Sequence, residues 1–302
     1  MATFVTGPVT VSVPATSANL GPGFDSLGLA LEHRDRVTAE VVDAGLEITV
    51  AGVGAGEVPL DERHLVYRAM VRAFDAMGCA VPGIRLHCDN VIPHGRGLGS
   101  SSAAIVAGLC AARALVAGGS LLMDDEHVFE LAAEMEGHPD NVAPALYGGF
   151  TIACAEGEGY VATTVAVDPR VHVVVFVPGS PVETTVARGL LPDSVPHADA
   201  ARNSGRAALL VAALSRQPEL LFPATEDLLH QRYRESAMPE TLALVRSLRA
   251  DRVPAVVSGA GPSVLAFVDN NGVDALVARA PDGWQALTVP IDRRGALVQH
   301  AA

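Results

Sequence analysis

No lysine occurs in the 302 residues: all 21 basic side chains are arginine, set against 34 acidic ones, for a formal net charge of −13. With that balance and no run of arginines, nucleic acid and anionic membrane are excluded as partners, because both require a contiguous basic patch. Any anionic ligand must be held by local features. Cysteine is also scarce. Cys79, Cys88, Cys110 and Cys154 show no C-x-x-C spacing and no matching histidine pair, which excludes a zinc site and a redox dithiol. They read as buried free thiols in a reducing cytoplasm. The N-terminus lacks the basic and continuously apolar regions of a signal peptide. The most apolar stretch, 103–117, is too short to span a bilayer and contains Arg113.

What is present describes a compact globule, 49% hydrophobic and 18% charged. The length is large for a single core, so two lobes are expected, with a boundary near 170 separating 1–170 from 171–302. Alternation predicts strands over 9–13, 37–50 and 83–92, and near-helical spacing predicts a helix over 64–77. The segment 100–117 is apolar on every side, as a buried central helix would be. A further helix starts at the caps Asp124 and Asp125 and stops at Gly137. After Gly148 and Gly149 the pattern returns to strand over 150–154, and 171–177 is a short, fully apolar strand. The remainder predicts helices near 200–215, 238–249 and 272–280, with strands near 254–258, 263–268 and 284–290. The fold class is therefore α+β.

The stretch Pro93-His-Gly-Arg-Gly-Leu-Gly-Ser-Ser-Ser-Ala103 is a glycine-rich turn opening an apolar helix. A Walker A loop would need lysine after its last glycine, where this chain has Gly-Ser-Ser. A dinucleotide fingerprint would need glycine at position 100, which is serine. A third reading is a loop whose glycines let backbone N–H groups approach an oligophosphate at a helix N-terminus. The alternative is a helix start that its serines merely cap.

This loop resembles the ATP loop of the GHMP kinase superfamily, and three further stretches extend the resemblance along the chain. Pro14-Ala-Thr-Ser-Ala-Asn-Leu-Gly-Pro-Gly-Phe-Asp-Ser-Leu-Gly28 is similar to the superfamily's first motif in its homoserine kinase branch. Glu136-Gly-His-Pro-Asp-Asn-Val-Ala-Pro144 is similar to that branch's substrate segment, and Ser258-Gly-Ala-Gly-Pro-Ser-Val-Leu265 to the C-terminal motif. The resemblance implies a two-lobed kinase. Its N-terminal lobe would resemble the second domain of ribosomal protein S5 and its C-terminal lobe would be ferredoxin-like. The implied reaction is transfer from ATP to the side-chain hydroxyl of L-homoserine, in threonine biosynthesis. A mevalonate-type kinase is the alternative within the superfamily, and a non-catalytic sensor the alternative outside it.

Site residues follow from the same resemblance. Asp25 would hold the substrate ammonium, and Arg188 and Arg234 its carboxylate, since guanidinium pairs with carboxylate in a bidentate way. Gln231-Arg232 stands where the branch commonly has an acidic residue, so Arg232 competes with Arg234 for that role. Asn19, His138 and Gly261 would complete the substrate pocket, with Asn141 orienting the nucleophilic hydroxyl. Asp140 would be the base if there is one; phosphoryl transfer can instead run on positioning and charge neutralisation. Glu130 and the Ser100 hydroxyl would hold Mg²⁺. Pro93, His94, Gly95, Arg96, Gly97, Leu98, Gly99, Ser100, Ser101, Ser102 and Ala103 would line the ATP site, and His64, where the branch carries asparagine, would meet the adenine. The family often forms homodimers, and threonine is the expected feedback inhibitor.

Overall fold

The structure, a computed structural model, describes residues 3–300. The first lobe runs β1 (Val9–Ala18), β2 (Leu27–Val42), β3 (Leu46–Gly52), α1 (Leu65–Ala76), β4 (Gly83–Asn90), α2 (Ser100–Leu115), α3 (Gly119–Leu122), α4 (Asp125–Glu136), α5 (Val142–Tyr147), β5 (Phe150–Glu156) and β6 (Gly159–Val165). The second runs β7 (His172–Val177), α6 (Thr184–Gly189), α7 (His197–Ser215), α8 (Leu221–Ala224), α9 (Pro239–Ala250), β8 (Ala255–Val257), β9 (Val264–Val268), α10 (Val273–Val277) and β10 (Gln285–Thr288). A final strand, β11 (Leu297–His300), returns to the first sheet and pairs antiparallel with β1. The expected unit 171–302 is corrected there: its last strand belongs to the other sheet.

The first sheet has the order β11-β1-β2-β4-β3, with β5 on β2 and β6 on β5. The single strand expected over 37–50 is two strands. The polar turn at 43–45 ends β2, and Gly45 at φ 87° supplies the left-handed residue that starts β3. Helix α1 buries Val66, Ala69, Met70, Ala73 and Phe74, a stripe with spacing of three and four. That stripe faces α2, where a Cβ at Gly108 would collide with the Val66 carbonyl, so glycine lets the two backbones meet. Buried Ile105, Val106, Leu109 and Leu115 make α2 the centre of the core, each contributing roughly 1.5–3 kcal/mol relative to exposure.

The second sheet has the order β10-β7-β9-β8, all antiparallel. Numbered by its own strands this is 4-1-3-2, the arrangement of a split βαβ unit. Strand β7 is apolar after His172 because both its faces are covered. Val173, Val175 and Val177 join the large core, while Val174 and Phe176 join a smaller one with Leu244, Val245 and Leu248 of α9. One core thus runs from β1 through α2 into β7 and α7, and it holds the two lobes together where β1 ends and α2 begins.

The thiols depart from expectation at two positions. Cys88 and Cys110 are buried, and burial raises them to about 12 and about 11, which keeps both protonated; Cys79 is half-buried and Cys154 is exposed on β5. Among the described residues no helix is long and apolar enough to cross a membrane.

Candidate active site

Residues 95–99 alternate in hand: Gly95, Gly97 and Gly99 have φ of 62°, 69° and 68°. Such alternation turns successive N–H groups toward one side and forms an anion-binding concavity. The loop is clamped from both lobes. The Thr16 N–H donates to the Leu98 carbonyl at 3.0 Å, and the Ser258 hydroxyl to the Gly97 carbonyl at 2.7 Å. A Cβ at Gly97 would strike the Ser258 carbonyl, and one at Gly99 the Thr16 hydroxyl, so neither position admits a side chain. Gly99 is the N-cap of α2 and no side chain caps the helix, leaving its first N–H groups and dipole directed at the cavity. Ser102, expected to line the site, is fully buried beneath it.

Two cavities meet at this helix start. One, of about 250 Å³, is bounded by Val37, Pro59, His64, His94 and Ala104, and the other, of about 190 Å³, by Asn19, His138, Asn141, Arg188, Arg234 and the loop. Ser100 and Ser101 line both, so an extended ligand can pass from one to the other across the N-terminus of α2. In the first cavity the His64 Nδ1 is buried without a partner, and burial lowers the imidazole's pKa, so it is a neutral ring facing the space. A larger recess of about 710 Å³ lies apart, on the outer faces of α1 and α4, and touches none of the loop.

The second cavity is walled by charge. Arg234 is 1% exposed; its Nη1 donates to the Gly259 carbonyl at 3.1 Å and to His230 Nδ1 at 3.2 Å, and its Nε has no partner. Burial, and then the nearby Arg188 charge, lower its pKa to about 10. His230 lies 2.8 Å from the Gly21 carbonyl through Nε2, so Nε2 carries the proton and Nδ1 accepts from Arg234. Burial lowers the pKa of this ring as well. Asp227, buried beside it, accepts from the backbone N–H groups of Leu229, His230 and Gln231 and fixes the turn that carries Arg234. Phe24 lies between the two arginines, each guanidinium 5.7 Å from its ring centroid. Arg232, the competing candidate, points outward to Asp199 and Tyr233.

Asp25 and Arg188 are each other's partners, joined in a bidentate pair at 2.6 and 3.1 Å and about one-third exposed. Asn19 holds Asp25 in place: its Oδ1 accepts from the Asp25 N–H, and its Nδ2 donates to the Gly259 carbonyl. Asn19, Leu20 and Asp25 all adopt positive φ beside Gly21 at 86°, so this turn is bent by its contacts as well as by glycine. On the opposite wall His138 Nδ1 meets Asp140 at 2.8 Å. Burial works to lower the His138 pKa, but the hydrogen bond and charge of Asp140, with Glu136, outweigh it and raise the pKa above its usual value.

Three expectations are corrected by these positions. Arg96 does not face the cavity: its guanidinium is spent on the carbonyls of His94, Pro178 and Gly179, where it ties the loop to the end of β7. Glu130 lies beside Gly159, near the β5–β6 turn, because it sits six residues before the end of α4 and projects from another face. The carboxylate at the loop is Glu136, which accepts from the Ser101 hydroxyl at 2.5 Å. Gly261 lies behind Gly97, with Met238 filling the place of its Cβ, and Gly259 and Ala260 line the cavity instead. Thr16, Phe24, Glu136, Thr184, Asp227 and His230 carry no assignment from sequence. Thr16, Phe24 and Glu136 do fall inside the quoted motifs, which is the available signal.

Comparison with known proteins identifies the family. Residues 64–149 match the family model of the GHMP kinases N terminal domain. Homoserine kinase from Streptomyces avermitilis is 57% identical over 98% of this chain and 97% of its own, and that from Streptomyces coelicolor is 55% identical over 98% and 96%. The crystal structure of homoserine kinase from Cytophaga hutchinsonii superposes with a TM-score of 0.86 at 25% identity, covering 99% of both chains. Mevalonate diphosphate decarboxylase from Staphylococcus aureus shares the fold alone, with a TM-score of 0.69 at 15% identity over 97% and 98%. The chain belongs to the homoserine kinase family of the GHMP kinases.

Proposed function

We infer that this chain transfers the terminal phosphoryl group of ATP to the side-chain hydroxyl of L-homoserine, giving O-phospho-L-homoserine for threonine biosynthesis. One observation carries the assignment of the site: a backbone anion nest and an open helix N-terminus share a cavity with a buried, half-satisfied guanidinium and an Asp–Arg pair. The adenine would occupy the cavity beside His64, with the triphosphate crossing Ser100 and Ser101 into the nest. Glu136 and the Ser101 hydroxyl form a hard oxygen pair at that crossing, which fits Mg²⁺; Ser100 is the neighbouring hydroxyl. When bound, Mg²⁺ supplies the positive charge that offsets the β- and γ-phosphates.

Homoserine arrives as a zwitterion. Its carboxylate would pair with Arg234, whose free Nε already faces no protein acceptor, and with Arg188. Its ammonium would take Asp25 as Arg188 turns toward the carboxylate, so an internal ion pair is exchanged for two ligand ion pairs. His138, held by Asp140, would border the amino-acid head, and Asn141 the hydroxyl. Asp140 is engaged by His138, and no lysine exists to work with it, so rate enhancement comes from alignment and charge neutralisation. Mevalonate lacks an ammonium for Asp25. We place the reaction in the cytoplasm, with L-threonine, which carries the same zwitterionic head, as a competitor for this cavity.

The test is ADP release with Mg-ATP on L-homoserine, D-homoserine, mevalonate, shikimate and galactose in parallel. Selectivity for L-homoserine is expected. Turnover of another alcohol would discard the roles of Asp25, Arg188 and Arg234, and ligand binding without any turnover would make the chain a sensor.

A further inference from the structure

Asn141 lines the cavity, and its amide makes a single hydrogen bond among the described residues: the Thr16 hydroxyl donates to its Oδ1 at 2.7 Å. In this arrangement Oδ1 is turned toward Thr16. With Oδ1 held by Thr16, the two Nδ2 hydrogens are the groups left for a ligand. Thr16 itself is fully buried at the end of β1, and it touches the phosphate loop twice. Its N–H donates to Leu98, and its hydroxyl fills the space against which Gly99 is packed. One side chain is therefore in contact with both the phosphate nest and the amide beside the acceptor.

We propose that Thr16 is a positioning residue, which presents Asn141 to the cavity as a hydrogen-bond donor and sets it in register with the phosphate loop. A donor there stabilises an oxygen of the phosphoryl group in transit, whose charge is redistributed as the group moves. A flipped amide would offer a carbonyl to the same oxygen and repel it. The assignment also removes Asn141 as an acceptor of the hydroxyl proton. It rests on the kinase reading above and adds to it the protonated face that Asn141 shows the substrates.

Thr16→Val keeps the shape and β-branching and removes the hydroxyl. Its kcat is expected to fall about 10²-fold, with KM for homoserine and for ATP within about threefold of the parent, because alignment and not binding is lost. Thr16→Ser, which restores the donor, is expected to recover kcat to within about fivefold, and Thr16→Val is expected to add little to Asn141→Ala, since the two act as one unit. If Asn141→Ala costs activity and Thr16→Val does not, the proposal is overturned while the kinase reading stands. Equal losses in Thr16→Val and Thr16→Ser, or KM values rising in step with the loss, would show a packing role and overturn it too. If Asn141→Ala is itself without effect, the placement of Asn141 at the reacting groups fails, and the proposal with it. Thermal melting accompanies each variant, and Thr16→Ala is read in the same way if the valine variant does not fold.

Discussion

The two ends of the 190 Å³ cavity hold charge by different means. At the phosphate end the contacts are backbone: three left-handed glycines, an uncapped helix and no basic side chain, since Arg96 is turned away to three carbonyls. At the amino-acid end they are side chains: Arg234, Arg188 and Asp25 around Phe24. The first arrangement fixes geometry through steric exclusion and, on the kinase reading, would admit any chain of phosphates that fits. The second reads one pattern of charges, plus and minus a fixed distance apart. A chain with no lysine shows the division clearly, because no flexible ammonium blurs the boundary between them.

Substitutions at the two ends should therefore separate cleanly. The largest effect is expected from Gly99→Ala. Left-handed strain and the clash with Thr16 should cost roughly 2–4 kcal/mol of stability and abolish ATP turnover, seen as a lowered melting temperature and loss of nucleotide binding. Next comes Arg234→Met, which removes a buried charge with near-equal volume. It should lower kcat/KM for homoserine by about 10²–10³-fold and leave KM for ATP in place; an equal rise in both KM values would break the separation. Asp25→Asn should raise KM for homoserine by about 10–50-fold and spare kcat, because it removes a ground-state ion pair with the ammonium.

The smallest effect concerns pH. His138 has a raised pKa in the folded protein, so its contribution to stability is fully present below its unfolded pKa near 6.5 and is lost as pH rises through the folded value. The difference in melting temperature between the parent and His138→Gln should accordingly shrink between mildly acidic and alkaline pH. A difference that grows over that range would mean that the ring is neutral beside Asp140 and Glu136, and the wall opposite Arg188 would need to be redrawn.

The same division explains what could be read in advance. The geometry of the loop was legible because it is written in residue types: glycine where φ is positive, followed by a small-residue helix. Helices α1 and α4 likewise announce themselves through apolar spacing, α2 through being apolar on every side, and α4 also through Asp124, whose side chain accepts from the His127 N–H. Short elements divide: β8, β10 and α10 stand where the pattern predicts them, and others were not legible. Strand β6 pairs only with β5 and is half exposed, α5 opens on Asn141 and includes Pro144, and β11 is four residues at an edge. At the amino-acid end an arginine's role depends on what the fold brings to it. Arg232 and Arg234 are neighbours in sequence, yet one lies at the surface with Asp199 and the other is sealed beneath Gly259. Glu130 and Glu136 differ by which face of one helix they occupy. The homoserine branch's alignment selected the former and the packing presents the latter.

The return of β11 to β1 bears on how the chain is made. A ribosome releases the first lobe early, but the edge of β1 stays bare until residues 297–300 emerge, and an uncovered edge strand is a template for pairing with other chains. Synthesis of this protein thus carries an interval of vulnerability that closes only once residues 297–300 are free to pair. A stop codon placed before residue 297 would leave the catalytic groups complete and the nascent sheet open to its neighbours on the polysome.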